Sequence, residues 1–257
     1  MKLELKGVSQ CYDDTKQAIF TDMNLEVMQG EFICILGPSG CGKSTLLYII
    51  AGLLKPTAGQ ILLDGKEVEG AGKDRAFMFQ EAALYPWLTV SENIGFGMKL
   101  HGISDEKRIA STEKYLGMVR LQDYGHYRVH QLSGGMKQRV ALARALAMEA
   151  PILLMDEPFS ALDKQTKNLL REEVQAIAKK TDKTVILVTH SVEEAVFFAD
   201  RILIMGANGA GLKNIVPVEL KRPRDITGEE FVHIRQGILK EVRAEMERGL
   251  HAKNMAK

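Results

Sequence analysis

Residues 32–52 constrain the fold more than any other stretch of the chain. Phe32–Leu36 is a short apolar run without polar alternation, which reads as a strand covered on both faces. It runs into Gly37-Pro38-Ser39-Gly40-Cys41-Gly42-Lys43-Ser44-Thr45, and the pattern from Lys43 to Gly52 is helical. Strand, glycine-rich turn and helix in that order are the context a phosphate-binding loop requires, and Gly37-x-x-x-x-Gly42-Lys43-Ser44 has its spacing. Each residue type has a reason. The glycines let backbone N–H groups turn inward and approach phosphate oxygens closely. The helix start adds the positive end of a dipole. Lys43 brings a full charge to the β- and γ-phosphates, and Ser44 offers a hydroxyl to Mg²⁺.

A second apolar strand, Ile152–Met155, ends in the acids Asp156 and Glu157. Asp156 at its tip has the chemistry to hold Mg²⁺, and Glu157 to polarise an attacking water. An acidic strand end alone is a weak signal, and its weight comes from sharing a chain with the phosphate loop. Ala76–Phe79, Val185–Val188 and Ile202–Met205 read as further buried strands; Lys164–Lys180 and Val192–Ala199 read as helices following strands. Alternating strand and helix predicts an α/β fold with a mostly parallel sheet and helices on both faces. Leu3–Val8 and Ile61–Leu63 read as peripheral strands, with a hairpin turn at Asp64-Gly65 and another turn at Ala207–Gly211. Ser91–Ala147 is helical in pattern, without a convincing strand, and reads as an inserted helical lobe. From Thr227 the tail carries Phe231, Ile234, Ile238, Val242, Met246 and Leu250 on one face of an amphipathic helix, expected to pack on its own domain.

Four further stretches decide among phosphate-loop proteins. Leu132-Ser-Gly-Gly-Met-Lys-Gln-Arg139 resembles the signature motif of ATP-binding-cassette (ABC) ATPases. Asp156-Glu-Pro-Phe-Ser-Ala-Leu-Asp163 resembles that family's acidic strand and D-loop, Val188-Thr-His190 its switch histidine, and Phe77-Met-Phe-Gln80 its Q-loop. All stand in the family's order, from about Lys2 to Gly206. Two positions depart from the usual pattern: Ser191 follows the switch histidine where Asp is common, and Arg128-Val129-His130 precedes the signature. Serine still caps a helix. The resemblance implies a P-loop NTPase core with a peripheral antiparallel β subdomain and an inserted α-helical subdomain. It implies one ABC ATPase domain over 1–257: core and β lobe about 1–87 and 148–220, helical lobe about 88–147, C-terminal helix about 227–250.

The same resemblance assigns roles. Tyr12 stacks on adenine; the loop from Gly37 to Thr45 binds the phosphates of ATP; Ser44, Gln80 and Asp156 hold Mg²⁺. Glu157, His190 and Gln80 are the catalytic group. Ser133, Gly134 and Gly135 bind the nucleotide of a second subunit, and Asp163 reaches across that interface. Independently of the family, Ser133-Gly-Gly makes a second N–H-rich helix start able to bind phosphate, ninety residues after Lys43. His101, His126, His130, His233 and His251 stand in no such motif. With one copy of each motif the chain is expected to work as a homodimer.

The run Leu84-Tyr-Pro-Trp87 and the segment Lys221-Arg-Pro-Arg-Asp225 resemble importer ATPases of the nitrate, sulfonate and taurine group. This implies a transmembrane permease, an extracytoplasmic substrate-binding protein acting indirectly, and a place on the cytoplasmic face of the cell membrane. Exposed apolar residues at 84, 85 and 87 suit a groove that grips a permease helix, while a Trp87 buried under the helical lobe is the plain alternative. Composition is that of an ordinary globular chain. Lys+Arg number 34 against 33 Asp+Glu, a net charge of +1 without the basic excess of a nucleic-acid binder. The N-terminus has no apolar core for a secretory signal, and the longest nearly apolar run, Leu46–Leu54, is too short to span a bilayer. Three unpatterned cysteines in a chain 46% hydrophobic and 26% charged exclude a disulfide scaffold and a disordered chain. The competing reading is a non-transport ABC-type ATPase acting on a soluble or nucleic-acid partner. The interval between the loop and the signature has no room for a coiled coil, and no second cassette is present.

Overall fold

The structure is a computed structural model and describes residues 2–12 and 17–255, with side chains as far as Gly249. The described chain packs as two compact units, one built from the segment up to Gly72 and the segment from Thr184 onward, the other Lys73–Lys183.

In the first unit, β1 (Leu3–Cys11) pairs antiparallel with β2 (Ala18–Val27), Leu3 opposite Val27. Leu3, Leu5, Phe20 and Val27 alternate inward and are almost fully buried, the pattern of a half-covered sheet. β2 was not evident as a strand from sequence. Its register against β1 shifts three times, and Asp22 sits at φ 49°, so bulges break the period-two signal. β3 (Phe32–Leu36) is buried throughout. α1 (Lys43–Ala51) follows, and Gly52 ends it in the left-handed conformation that favours glycine. β4 (Ala58–Leu63) and β5 (Lys66–Glu67) form the expected hairpin, with Asp64 and Gly65 both at positive φ. The antiparallel sheet runs β2-β1-β4-β5.

In the second unit, β6 (Arg75–Met78) pairs in parallel with β7 (Ile152–Asp156), Ala76 opposite Leu153. Phe79 therefore lies just past the strand predicted to include it. Between β6 and β7 come α2 (Val90–Leu100), α3 (Asp105–Met118) and α4 (Gly134–Ala147), which pack on one another. The helical character expected of Ser91–Ala147 is what the chain adopts there. α2 opens with a capping box: Glu92 N–H donates to Thr89 Oγ1 at 3.2 Å, and Thr89 N–H to Glu92 Oε2 at 2.7 Å. α5 (Lys164–Lys180) follows β7.

The first unit resumes with β8 (Thr184–Val188), α6 (Val192–Phe198), β9 (Arg201–Met205), β10 (Leu212–Pro217) and α7 (Glu229–Met255). β3 lies between β8 and β9, parallel to both. β10 adds antiparallel to β9 after the turn predicted at Ala207–Gly211, where Asn208 and Gly209 have positive φ. β10 itself gave no strand signal, because none of its residues is fully buried. α7 packs against α6 through Phe231, Ile238 and Val242. Of the expected stripe, the side chain of Leu250 lies outside the described residues. No helix among the described residues is long and apolar enough to cross a membrane.

Candidate functional site

The phosphate loop is held by its two flanking elements. β3 anchors one end inside the sheet, and α1 buries Leu46, Leu47, Ile49 and Ile50 at the other. Gly42 caps α1 at φ 97° with no side-chain cap. A Cβ there would lie 2.6 Å from Ile19 Cγ2, so only glycine lets the loop close against the antiparallel sheet. The first N–H groups of α1 have no intrahelical acceptor and point out of the helix start. Lys43 is 6% exposed, and its Nζ donates to Gly37 O at 3.0 Å and Pro38 O at 2.9 Å. The ammonium thus lies within the curl of the loop, with Ser44 and Thr45 in the first turn behind it. Cys41 Sγ is 4.0 Å from Lys43 Nζ, and burial pushes its thiol up against the opposing pull of that ammonium. Cys41 itself is 3% exposed and packs inside the loop.

Beside the loop lies an open cavity of about 560 Å³. Tyr12, exposed at 53%, lines it together with Pro38–Cys41 and the Ala207–Gly209 turn. The structure therefore brings the proposed base-stacking residue and the loop to one cavity.

His190 follows β8 and is exposed. The segment around it is held firmly. Ser191 caps α6, its Oγ accepting from Glu194 N–H at 3.2 Å, so the departure from Asp leaves the cap intact. Thr189 Oγ1 donates to the buried Glu194 carboxylate and accepts from Ser191 N–H at 3.1 Å. At the far end of α6, Arg224 is nearly buried. Its Nη1 donates to Val196 O at 2.6 Å and Ala199 O at 2.7 Å, and its Nη2 to Val218 O at 3.0 Å. Burial, with Arg222 adding repulsion, pulls this guanidinium down to about 10. A cation at a helix C-terminus also complements the dipole. The sequence marked Arg224 only through its resemblance to an importer segment; its clamp on α6 was not legible.

In the second unit, Asp156 is fully buried at the tip of β7 and Glu157 follows at φ 47°, a strained backbone for a non-glycine residue. Gln80 Nε2 donates to Glu157 Oε2 at 3.2 Å, bringing two predicted catalytic residues together. Gln138 of α4, 4% exposed, donates from Nε2 to Gln80 O at 3.2 Å, tying the signature helix to the Q-loop. Sequence reading had given Gln138 no role, although it stands inside the signature. Ser133 caps α4, its Oγ accepting from Met136 N–H at 3.3 Å, with Gly134 and Gly135 in the first turn. A Cβ at Gly135 would lie 3.4 Å from Ala161 O, so the signature start and the D-loop touch. Asp163 caps α5, accepting from Thr166 N–H at 3.0 Å, and the backbone amide of Thr166 holds its carboxyl below the usual range.

The loop after Gln80 is pinned from α4. Arg144 donates to Ala83 O at 2.8 Å and Ala82 O at 3.0 Å and lies 5.6 Å from the Tyr85 ring centroid. Asn93, fully buried, accepts from Tyr85 N–H at 2.8 Å. Trp87 is 67% exposed, which excludes the buried alternative within this unit. His101, His126, His130 and His233 are exposed.

A buried strand leading into a glycine loop that wraps a lysine, with an acid pair ending a second buried strand, defines a P-loop nucleoside triphosphatase. Residues 20–160 match the ABC transporter family profile. The chain belongs to the ABC transporter family and is one of its ATPases. It is 46% identical to an uncharacterised ABC transporter ATP-binding protein of Methanocaldococcus jannaschii, over 97% of this chain and 94% of that one. It is 40% identical to the taurine import ATP-binding protein TauB of Pseudomonas aeruginosa (93% and 95%). It is 41% identical to the nitrate import ATP-binding protein NrtD of Synechocystis sp. (86% and 84%). Among solved structures it resembles a dimeric ATP-binding cassette in a post-hydrolysis state with ADP and Pi. The TM-score is 0.76 and the identity 33%, over 85% of this chain and all of that one.

Proposed function

We propose that the chain is the ATP-hydrolysing subunit of a small-solute importer and works as a pair. Each ATP is held by one protomer's phosphate loop and closed by the partner's signature segment. The observation that supports this reading is that one chain has two helix starts with phosphate-binding chemistry, α1 with its lysine and α4 with a serine cap and two glycines. Tyr12 receives the base, and the loop from Gly37 to Thr45 the phosphates. Asp163 reaches across to the partner in this reading.

The donor chemistry fits Mg²⁺. Ser44 and Asp156 offer a hydroxyl and a carboxylate, both hard oxygens. Gln80 gives its amide nitrogen to Glu157, leaving its Oε1 as a third oxygen donor. When bound, Mg²⁺ neutralises charge on the β- and γ-phosphate oxygens. Glu157 accepts the proton of the attacking water, its carboxylate oriented by Gln80. Lys43 and the α1 start stabilise the charge that develops on the transferred group, and His190 contacts the γ-phosphate.

The names of the relatives point to taurine- or nitrate-like cargo, a small anion or zwitterion. The permease that passes it grips the Leu84–Trp87 segment, where Leu84 and Tyr85 are half-buried and Trp87 is exposed, from the cytoplasmic face, and an extracytoplasmic binding protein delivers it. Nucleic acid has no part in this cycle. The test is hydrolysis against chain concentration. The specific rate rises with concentration and is stimulated by the permease, and Trp87→Ala loses that stimulation while keeping ATP affinity. A specific rate independent of concentration would sink the paired site.

A further inference from the structure

The apolar stripe of α7 runs past the end of the core. Phe231, Ile238 and Val242 are 1%, 2% and 6% exposed. Met246, one turn further on the same face, is 43% exposed. It opens into the cavity beside the phosphate loop: Met246 and Gly249 line it together with Tyr12, Ser39, Gly40 and Asn208. The helix is seated there by close approach. A Cβ at Gly249 would lie 3.0 Å from Ala207 Cβ, so a larger residue would push the helix end away from the turn that carries Asn208. Glu245, 6% exposed, is ion-paired with Arg248 on the same turn.

These features select one kind of ligand. The cavity has the phosphate loop at one side, an exposed tyrosine ring, and a thioether at the end of an otherwise buried stripe. Sulfur packs well against the edge or face of an aromatic ring, and Met246 presents its thioether to the same cavity as the Tyr12 ring. A planar heteroaromatic ring joined to a polyphosphate meets all three conditions. We infer that Met246 contacts the nucleobase of the bound nucleotide and that α7, seated by Gly249, forms a wall of the base pocket. The inference rests on the nucleotide reading of the phosphate loop. It adds a binding role for the C-terminal helix. Base binding and the seating of α7 then stabilise one another reciprocally.

The test compares ATP with inorganic tripolyphosphate, which has the phosphates and no base, on the full chain with Mg²⁺. Met246→Ser lowers ATP affinity about fivefold, about 1 kcal/mol, and leaves tripolyphosphate affinity unchanged. Met246→Leu keeps ATP affinity within about twofold, since it restores an apolar cover. A second measurement needs no variant. Peroxide oxidation of Met246 to the sulfoxide, followed by site-resolved mass spectrometry, slows severalfold with ATP and not with tripolyphosphate. Wild-type ATP affinity in Met246→Ser, equal weakening of both ligands, or equal protection by both overturns the inference. Failure of the nucleotide reading shows differently: Lys43→Ala would then bind ATP as well as the wild type, whatever happens at Met246.

Discussion

α1 begins at Gly42, in the left-handed region and with no side-chain cap, whereas α4 begins at Ser133, whose own hydroxyl accepts Met136 N–H. The α1 start has a buried ammonium bonded to two carbonyls of the loop in front of it. The α4 start has no acidic residue in its first turn; Lys137 stands four residues after the cap, and Gly135 approaches the carbonyl of Ala161. At one start, open amides, dipole and charge converge, which is what a polyanion site requires. The other spends one amide on its own cap and has its nearest lysine, Lys137, on the helix and not in the loop before it, a poorer arrangement for capturing a polyanion unaided. The difference fits a division of labour in which α1 captures nucleotide and α4 recognises nucleotide already captured.

Four variants break or sharpen that contrast. The largest effect is expected of Glu157→Gln, which removes the proton acceptor and leaves both helix starts intact. Hydrolysis falls on the order of 10³-fold, about 4 kcal/mol of barrier, while ATP binding persists and light scattering shows ATP-dependent dimers. Unchanged turnover would remove Glu157 from the role of base. Next is Lys43→Ala, which lowers ATP affinity on the order of 10²-fold by calorimetry, since a buried charge-assisted contact is lost. If α4 were an independent site, half of the binding stoichiometry would survive this change. Ser133→Arg puts a long side chain at the α4 start. It lowers hydrolysis at least about tenfold and leaves ATP binding by the dilute monomer unaltered, and weakened monomer binding would contradict the division. The smallest effect belongs to Ser133→Ala, which removes only the cap. Thermal unfolding should report about 1 kcal/mol of lost stability, with little change in ATP affinity.

The sequence carried the parts of the fold whose burial is uniform. Phe32–Leu36, Ile152–Asp156 and Val185–Val188 are hidden on both faces, so apolar runs mark them directly. β2 and β10 escaped notice because bulges and half-exposure dilute their pattern. The site divides in the same way. Glycine, lysine and the acid pair are legible because the chemistry needs those residue types at fixed spacing. Gln138 and Arg224 were not, because each acts on a backbone carbonyl of a distant segment, and a carbonyl has no residue identity to read. Met246 looked like one more member of a packing stripe, and only the end of the core beneath it sets it apart.

The Arg224 clamp has a mechanical consequence. α6 is a rigid rod of seven residues with His190 just before its first turn and the guanidinium of Arg224 on its last carbonyls. Removing that one guanidinium would leave the carbonyls of Val196, Ala199 and Val218 short of a donor together, so a single side chain fastens the end of α6 to the segment that follows β10.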